Sequence, residues 1–135
     1  MAIVWDQATM GTGVPEIDQQ HRELISRLDS FLEAMKQGRS QEELKGTIAF
    51  LAEYTKFHFG HEEECMNRLR CPVAAANVTA HRHFVSVFQE IAAEAEAGGP
   101  KLALLLRAQR ELSDWVRNHI MRVDTHLRQC VVAGS

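Results

Sequence analysis

Residues 54–66 read Y-T-K-F-H-F-G-H-E-E-E-C-M, and the fold of the chain follows from the pattern around them. His58 and Glu62 stand four residues apart, so on a helix both side chains lie on one face. Residues that follow one another in steps of three and four form the inward stripe of an amphipathic helix. The predicted stripe comprises Leu44, Ile48, Leu51, Thr55, His58, Glu62, Cys65 and Leu69. An imidazole and a carboxylate therefore interrupt a stripe that is predicted to be buried.

A buried carboxylate needs a counter-ion, a metal or hydrogen bonds, because burial of an unpaired charge is costly. For a single H-x-x-x-E pair, hydrogen bonds within the core are the better interpretation. The neighbours of Glu62 do not share its stripe, so Glu63, Glu64 and His61 are expected on the solvated face. The metal hypothesis depends on whether other helices carry similar residues.

Length and composition exclude several classes of protein. With 135 residues the chain is expected to form one domain, residues 1–135. A net charge of −3 without a basic stripe makes nucleic acid an unexpected partner. The N-terminus has no signal-peptide pattern and no segment resembles a membrane span, so we expect a cytoplasmic protein without a membrane partner. Three cysteines without a C-x-x-C pair are then expected to be reduced thiols.

Four helices are predicted after an N-terminal arm. The arm covers residues 1–15, which show no helical period, and Trp5 is its expected anchor. The predicted helices run from Asp18 to Gln37, from Ser40 to Arg70, from Val73 to Ala97, and from Pro100 into a tail that reaches Val132. Asp18 is the expected N-cap of the first helix, and Gly38 is expected to end it. Short connections predict an all-α, antiparallel up-down-up-down four-helix bundle over residues 18–132.

The other helices also carry polar residues on their inward stripes. In an antiparallel bundle, the starts of helices one and three lie at the same end as the ends of helices two and four. The predicted inward polar residues near that end are His21, His58, Glu62, Asn77, His81 and His119. Asp124 follows His119 by five residues, so the last helix is expected to loosen there to aim both side chains at one point. Four imidazoles, two carboxylates and one amide are thereby predicted around one buried spot.

This donor set favours a particular metal chemistry. The absence of thiolates disfavours a structural zinc site, whereas imidazoles and carboxylates on facing helices suit iron or manganese. Two carboxylates and several imidazoles exceed what one ion needs. A dinuclear centre with ions roughly 3.5 to 4 Å apart fits better.

The combined pattern resembles bacterial hemerythrins over essentially the whole chain. The matching segments are I-D-Q-Q-H at 17–21, Y-T-K-F-H-F-G-H-E at 54–62, H-R-H-F at 81–84 and W-V-R-N-H-I-M-R-V-D at 115–124. The resemblance implies a non-haem di-iron domain that binds dioxygen. It also implies a ligand set: His21 and His58 on one iron, His81 and His119 on the other, and Glu62 and Asp124 bridging both together with an oxo or hydroxo group.

The chain departs from the hemerythrin pattern at one ligand. Asn77 stands four residues before His81, where the family has a third histidine for the second iron. An asparagine side chain is shorter than histidine and offers a weak, neutral donor, so either its carbonyl oxygen or a water is expected at this position. We therefore expect faster oxidation to the diferric state than in a five-histidine relative. This favours a sensor of oxygen or redox state over a carrier or storage protein.

Apolar residues are expected to line the pocket in which the ligand binds. The apolar residues expected nearest the bound ligand are Leu24, Ile25, Trp115 and Val116. An enzymatic role is not expected, although a di-iron oxidase or peroxidase remains an alternative, as does a metal-free signalling bundle. A sensor would act on a fused or separate signalling output domain.

Overall fold

The computed structural model describes residues 4–38, 41–98 and 102–133. Its helices are α1 (Gln7–Met10), α2 (Pro15–Lys36), α3 (Gln41–Arg68), α4 (Ala74–Gly98), α5 (Leu102–Ala108), α6 (Trp115–Arg122) and α7 (Leu127–Ala133). A π-helical segment, Gln109–Asp114, joins α5 to α6 into one composite helix, and a 3-10 turn, Asp124–His126, precedes α7. Within the described ranges no helix is long and apolar enough to cross a membrane.

The predicted four-helix bundle is confirmed. Helix α2 packs on α3, α3 packs on α4, and the composite helix α5–α6 closes the bundle against α2 and α4. The predicted stripe of α3 faces inward: its members from Ile48 to Cys65 are buried, while Leu69 is half-buried. Fully buried Phe31 and nearly buried Phe88 meet edge to face in the core, with ring centroids 5.9 Å apart. Burial of these apolar side chains stabilises the bundle and thereby fixes the positions of the polar residues at one end of it.

The N-terminal arm is more ordered than its sequence predicts. It contains the short helix α1, whose first turn is capped by Asp6 through a 3.1 Å bond from the Ala8 backbone N–H. Helix α2 begins at Pro15, so the prediction of Asp18 as its N-cap was wrong. The Asp18 carboxylate instead accepts two 2.8 Å hydrogen bonds from Thr12, one from the backbone N–H and one from the hydroxyl. Asp18 thereby fastens the arm to the bundle.

Trp5 anchors the arm as predicted. Its ring is partly buried against the main apolar cluster, and the Arg22 guanidinium lies 5.1 Å from the ring centroid. The predicted helix starts at Ser40 and Pro100 lie outside the described residues. Gly38 follows the end of α2 with φ +63, a left-handed conformation that glycine adopts without strain.

The expectation of three reduced thiols was wrong. Cys71 and Cys130 form a disulfide with their Cα atoms 5.6 Å apart, a separation that the bond requires. The bond joins the turn before α4 to α7. Cys65 is the free cysteine among the described residues. It is buried beside the disulfide in a small apolar cluster that also contains Met66 and Leu127.

The composite fourth helix loosens where the sequence predicts, but it contains a π-helical segment that the sequence does not predict. Helix α6 ends at Arg122, and Asp124 lies in the 3-10 turn that follows, so the predicted loosening is confirmed. The π-helical segment was not predicted. Its wider turn changes the rotational phase of α6 relative to α5, because each π turn holds more residues than an α turn.

Candidate metal centre

Seven ligand-type side chains meet at one end of the bundle. They come from four helices and one turn: His21 from α2, His58 and Glu62 from α3, Asn77 and His81 from α4, His119 from α6, and Asp124 from the 3-10 turn after α6. All are buried, and the most exposed of them, His119, is 8% exposed. The predicted convergence is therefore present in the structure.

Glu62 lies between two groups of histidines. Its Oε2 atom is 2.8 Å from His21 Nε2 and 3.6 Å from His58 Nε2. Its Oε1 atom is 3.0 Å from His81 Nε2. The two oxygens of one carboxylate thus face different imidazoles.

Asp124 repeats this arrangement on the opposite side of the centre. Its Oδ2 atom lies 3.1 Å from His21 Nε2, and its Oδ1 atom lies 3.2 Å from His119 Nε2. Two groups of potential ligands result, one formed by His21, His58 and Glu62 and the other by Glu62, His81, His119 and Asp124. They share Glu62, and Asp124 of the second group also contacts His21 of the first.

Asn77 belongs to the second group by position. Its Oδ1 atom lies 2.6 Å from His119 Nε2, and its Nδ2 group donates to Glu62 Oε1 at 3.0 Å. The same Nδ2 group lies 3.2 Å from the Met66 sulfur. The amide is fully buried, and both of its polar atoms are engaged by neighbours. It occupies the place expected from its spacing before His81.

The outer nitrogens of two histidines are held by other side chains. His58 Nδ1 is 2.9 Å from Gln20 Oε1, and His81 Nδ1 is 2.8 Å from Glu63 Oε2. Such a bond fixes the Nδ1–H tautomer and turns the Nε2 lone pair toward the centre of the site. The prediction that Glu63 lies on the solvated face was therefore wrong, because its carboxylate reaches across to α4.

Gln20 also connects the site to the surface. Its Nε2 group is 2.7 Å from His61 Nδ1. His61 was predicted to face solvent, but it is half-buried and hydrogen-bonded to Gln20. The Tyr54 hydroxyl donates to the Gln20 backbone carbonyl at 3.3 Å. No periodicity in the sequence could have identified Gln20, because it lies beside His21 on α2 and its partners are on α3.

Burial and charge divide the histidines into two kinds. Burial lowers the pKa of His21, but the bonds to Asp124 and Glu62 outweigh it and raise the pKa to about 10. Burial dominates at His58 and, with repulsion from His21 and His81, lowers its pKa to about 3. Burial opposes the ionisation of Glu62, yet the close imidazoles of His21 and His81 hold its pKa well below the usual range. The Glu62 carboxylate is therefore held in its ionised form by nearby positive charge.

Three buried atoms at the centre have close polar neighbours but no aligned hydrogen bond. His58 Nε2, His81 Nε2 and Asp124 Oδ1 each lie 3.0–3.6 Å from a polar atom of another candidate ligand, yet none of these contacts has hydrogen-bond geometry among the described residues. Buried polar atoms without a hydrogen bond are rare in proteins and indicate a position where a water or an ion binds. The separations of 2.8–3.6 Å between these donors suit ligands that each lie about 2.1 Å from a common ion. The residues therefore fit a metal, and imidazole with carboxylate suits iron.

Aromatic rings cover the second group. Trp115 stacks on His119 with ring centroids 4.6 Å apart and planes 9° apart, next to the predicted pocket. Leu24, Ile25 and Val116 are buried in the main apolar cluster. Phe59, which was not predicted, stacks on His81 at 3.7 Å with nearly parallel planes.

Comparisons of the sequence and of the structure identify the same family of proteins over most of the chain. Residues 12–130 match the family model described as the hemerythrin HHE cation binding domain. The chain is 31% identical to a bacteriohemerythrin of Stenotrophomonas maltophilia, covering 94% of this chain and 85% of the relative. It is 26% identical to a bacteriohemerythrin of Methylococcus capsulatus, covering 97% and 98% respectively. A crystal structure of wild-type hemerythrin superimposes with a TM-score of 0.83 at 25% identity, over 97% of this chain and 98% of that one. The chain therefore belongs to the hemerythrin family, whose members are non-haem di-iron proteins that bind oxygen.

Proposed function

We propose that the chain binds two iron ions and reacts with dioxygen as a sensor domain. The observation that carries the proposal is the arrangement of Glu62 and Asp124, each of which turns its two oxygens toward different histidines. The proposed ligands are His21 and His58 for one ion, His81 and His119 for the other, and Glu62 and Asp124 for both. Iron held by these residues would supply the electrons that dioxygen takes up.

The surrounding residues prepare the site for this role. Gln20 and Glu63 orient the rings of His58 and His81, which keeps their Nε2 atoms directed inward. Trp115 and Phe59 cover the faces of His119 and His81 and exclude water from them. Leu24, Ile25 and Val116 add apolar surface around the end of the bundle. A dry pocket of this kind slows proton access to a bound ligand.

Asn77 supports a sensor role over a carrier or storage role. Its neutral amide lies among the donors of the second group, where a third histidine would supply a stronger nitrogen donor. The second ion then has fewer strong protein donors and is more accessible to small ligands. Rapid oxidation suits a sensor of oxygen or redox state, which would act in the cytoplasm on a fused or separate output domain.

Iron content per chain and the visible absorption spectrum test this proposal. The reduced protein is measured before and after exposure to air, beside Glu62→Gln and the control Glu64→Gln on the exposed side of α3. We expect two irons and oxo-bridged diferric bands in the native protein and in the control, and loss of both in Glu62→Gln. One iron or none in the native protein would overturn the proposal.

A di-iron oxidase or peroxidase is the second candidate. The observation in its favour is again Asn77, because a weaker donor leaves a coordination position for a second reactant. The assay is consumption of hydrogen peroxide with a reducing dye by the iron-loaded protein. Many turnovers per chain would favour the enzyme, whereas a single stoichiometric oxidation would favour the sensor.

A further inference from the structure

A cavity of about 550 Å³ lies between α3 and α4, outside the metal centre. Its walls include Phe59, Val85 and Phe88, and its inner end reaches the outer edge of His81 and the carboxylate of Glu63. The space exceeds what a diatomic ligand needs and suits an organic molecule of moderate size. It is also separated from the Nε2 atoms of the centre by the His81 ring itself.

A buried hydroxyl in this cavity has no partner. Thr55 is 2% exposed and lines the cavity, yet its Oγ1 atom makes no hydrogen bond among the described residues. A threonine within a helix commonly donates to the carbonyl four residues earlier. Thr79 and Thr125 do so here, at 3.3 Å and 2.8 Å. The Thr55 hydroxyl is therefore left for a polar atom of a bound molecule, since an unpaired buried hydroxyl is destabilising.

The mouth of the cavity carries uncommitted positive charge. Lys56 on α3 and Arg82 on α4 face it from opposite walls, and neither forms an ion pair or hydrogen bond within the described part of the chain. Glu63 is held by His81, which leaves Glu53 as the opposing carboxylate at the mouth. The lining as a whole carries no net charge, but an anion can pair with Lys56 and Arg82 without displacing an existing ion pair.

We propose that this cavity binds a small amphipathic carboxylate. The apolar body, an aromatic ring or a short branched chain, packs against Phe59, Val85 and Phe88. The carboxylate pairs with Lys56 and Arg82, and a polar atom of the ligand bonds to the Thr55 hydroxyl. Because the occupied cavity touches the Glu63–His81 pair, such a ligand also affects the metal centre, a consequence that rests on the proposed di-iron site.

Equilibrium dialysis of the iron-loaded protein with 4-hydroxyphenylacetate tests the proposal. A ligand of this size is expected to bind with a dissociation constant on the order of 1 mM or lower. The neutral analogue 4-hydroxyphenethyl alcohol is expected to bind about tenfold more weakly, because it lacks the charge-assisted bonds. Absence of saturable binding, or equal affinity for the neutral analogue, overturns the proposal.

Gly60 allows the cavity to be filled without disturbing the fold. It lines the cavity, and a Cβ atom added there meets no atom within 4 Å. Gly60→Leu is expected to weaken binding at least about tenfold by occupying the ligand's space. Gly46→Leu is the matched control, since Gly46 lies on the same helix away from the cavity and is equally open. Binding by Gly60→Leu as tight as by the control contradicts the proposed location.

The polar contacts are tested separately. A Lys56→Gln, Arg82→Gln double variant is expected to bind the carboxylate about tenfold more weakly and the alcohol unchanged. Thr55→Val keeps the side-chain shape and is expected to weaken binding about fivefold. Iron content and melting temperature are measured on the same samples. Failure to bind by a fully iron-loaded, folded native protein therefore rejects the cavity proposal and leaves the di-iron proposal intact.

Discussion

Asn77 is the residue at which this chain differs from the hemerythrin pattern, and its surroundings explain how the difference is accommodated. The amide donates to Glu62 and its oxygen lies beside His119, so both of its own polar atoms are engaged. A histidine there would replace a weak oxygen donor with a nitrogen donor. In the proposed di-iron site, the donors available to the second ion therefore depend on this one side chain.

Asn77→His is expected to slow the air oxidation of the reduced, iron-loaded protein. The added imidazole occupies the coordination position that an exogenous ligand would otherwise reach. The measurement is the growth of the diferric absorption after mixing with air, with Asn67→His as the control on the exposed side of α3. An unchanged oxidation rate in Asn77→His would refute the role assigned to Asn77.

Gln20→Leu is expected to weaken iron binding by about 10- to 100-fold. The substitution removes the acceptor for His58 Nδ1, so the ring loses its fixed tautomer and orientation. Competition with a chelator measures the affinity. Gln19→Leu is the matched control, because it makes the same change one residue away on the exposed side of α2. Equal affinities of the two variants would show that Gln20 has no positioning role.

At the scale of the helices, the termini and interruptions aim the side chains. The 3-10 turn after α6 brings Asp124 back toward His21, which a continued α-helix would not do. Gly13, with φ +80, lets the arm turn into α2 close to Arg128, whose Cα lies 3.5 Å from a Cβ built at Gly13. Gly46, by contrast, is a solvent-exposed residue within α3, and neither its backbone conformation nor a close neighbour requires glycine there.

Substitution by alanine is expected to change the free energy of unfolding in opposite directions at Gly46 and Gly13. Gly46→Ala is expected to raise the free energy of unfolding by about 0.5–1 kcal/mol, because alanine restricts the unfolded chain and the added Cβ has open space. Gly13→Ala is expected to lower it by about 1–2 kcal/mol, since its backbone is left-handed. Urea denaturation of the iron-loaded variants measures both. Changes of the same sign would contradict the backbone argument.

At the scale of the whole molecule, two links hold the terminal segments around the metal end. The Arg128 side chain on α7 donates to the backbone carbonyls of Ala8, at 2.8 Å, and of Gly11 in the arm. The disulfide joins α7 to the turn before α4, and its cysteines are 59 positions apart in the sequence. Asp124 lies directly before α7, so both links restrict the segment that carries it.

The Cys71→Ser, Cys130→Ser double variant is expected to lose about 2–4 kcal/mol of unfolding free energy, because the closed loop restricts the unfolded chain. Urea denaturation with and without a thiol reductant measures the loss. The native protein should fall to the level of the variant in reductant, while the variant itself should not respond. Equal stability of the two proteins without reductant would mean that the cysteines are not paired.

Periodicity in the sequence predicted four long helices, their inward stripes and the set of candidate ligands. Helical periodicity places residues three and four apart on one face, so the polar interruptions at His58, Glu62 and His81 were visible without coordinates. The antiparallel order of four helices then required those interruptions to meet at one end. Asp124 was predictable as well, because its spacing from His119 required the helix to break.

The side chains that surround those candidate ligands could be identified only from the tertiary structure. Gln20 and His58 are 38 positions apart, Glu63 and His81 are 18 apart, and the disulfide cysteines are 59 apart. Periodicity records the face on which a residue lies and contains no information about which atom of another helix it meets. The same limit explains the start of α2, where Thr12 engages the Asp18 carboxylate that would otherwise have capped the helix.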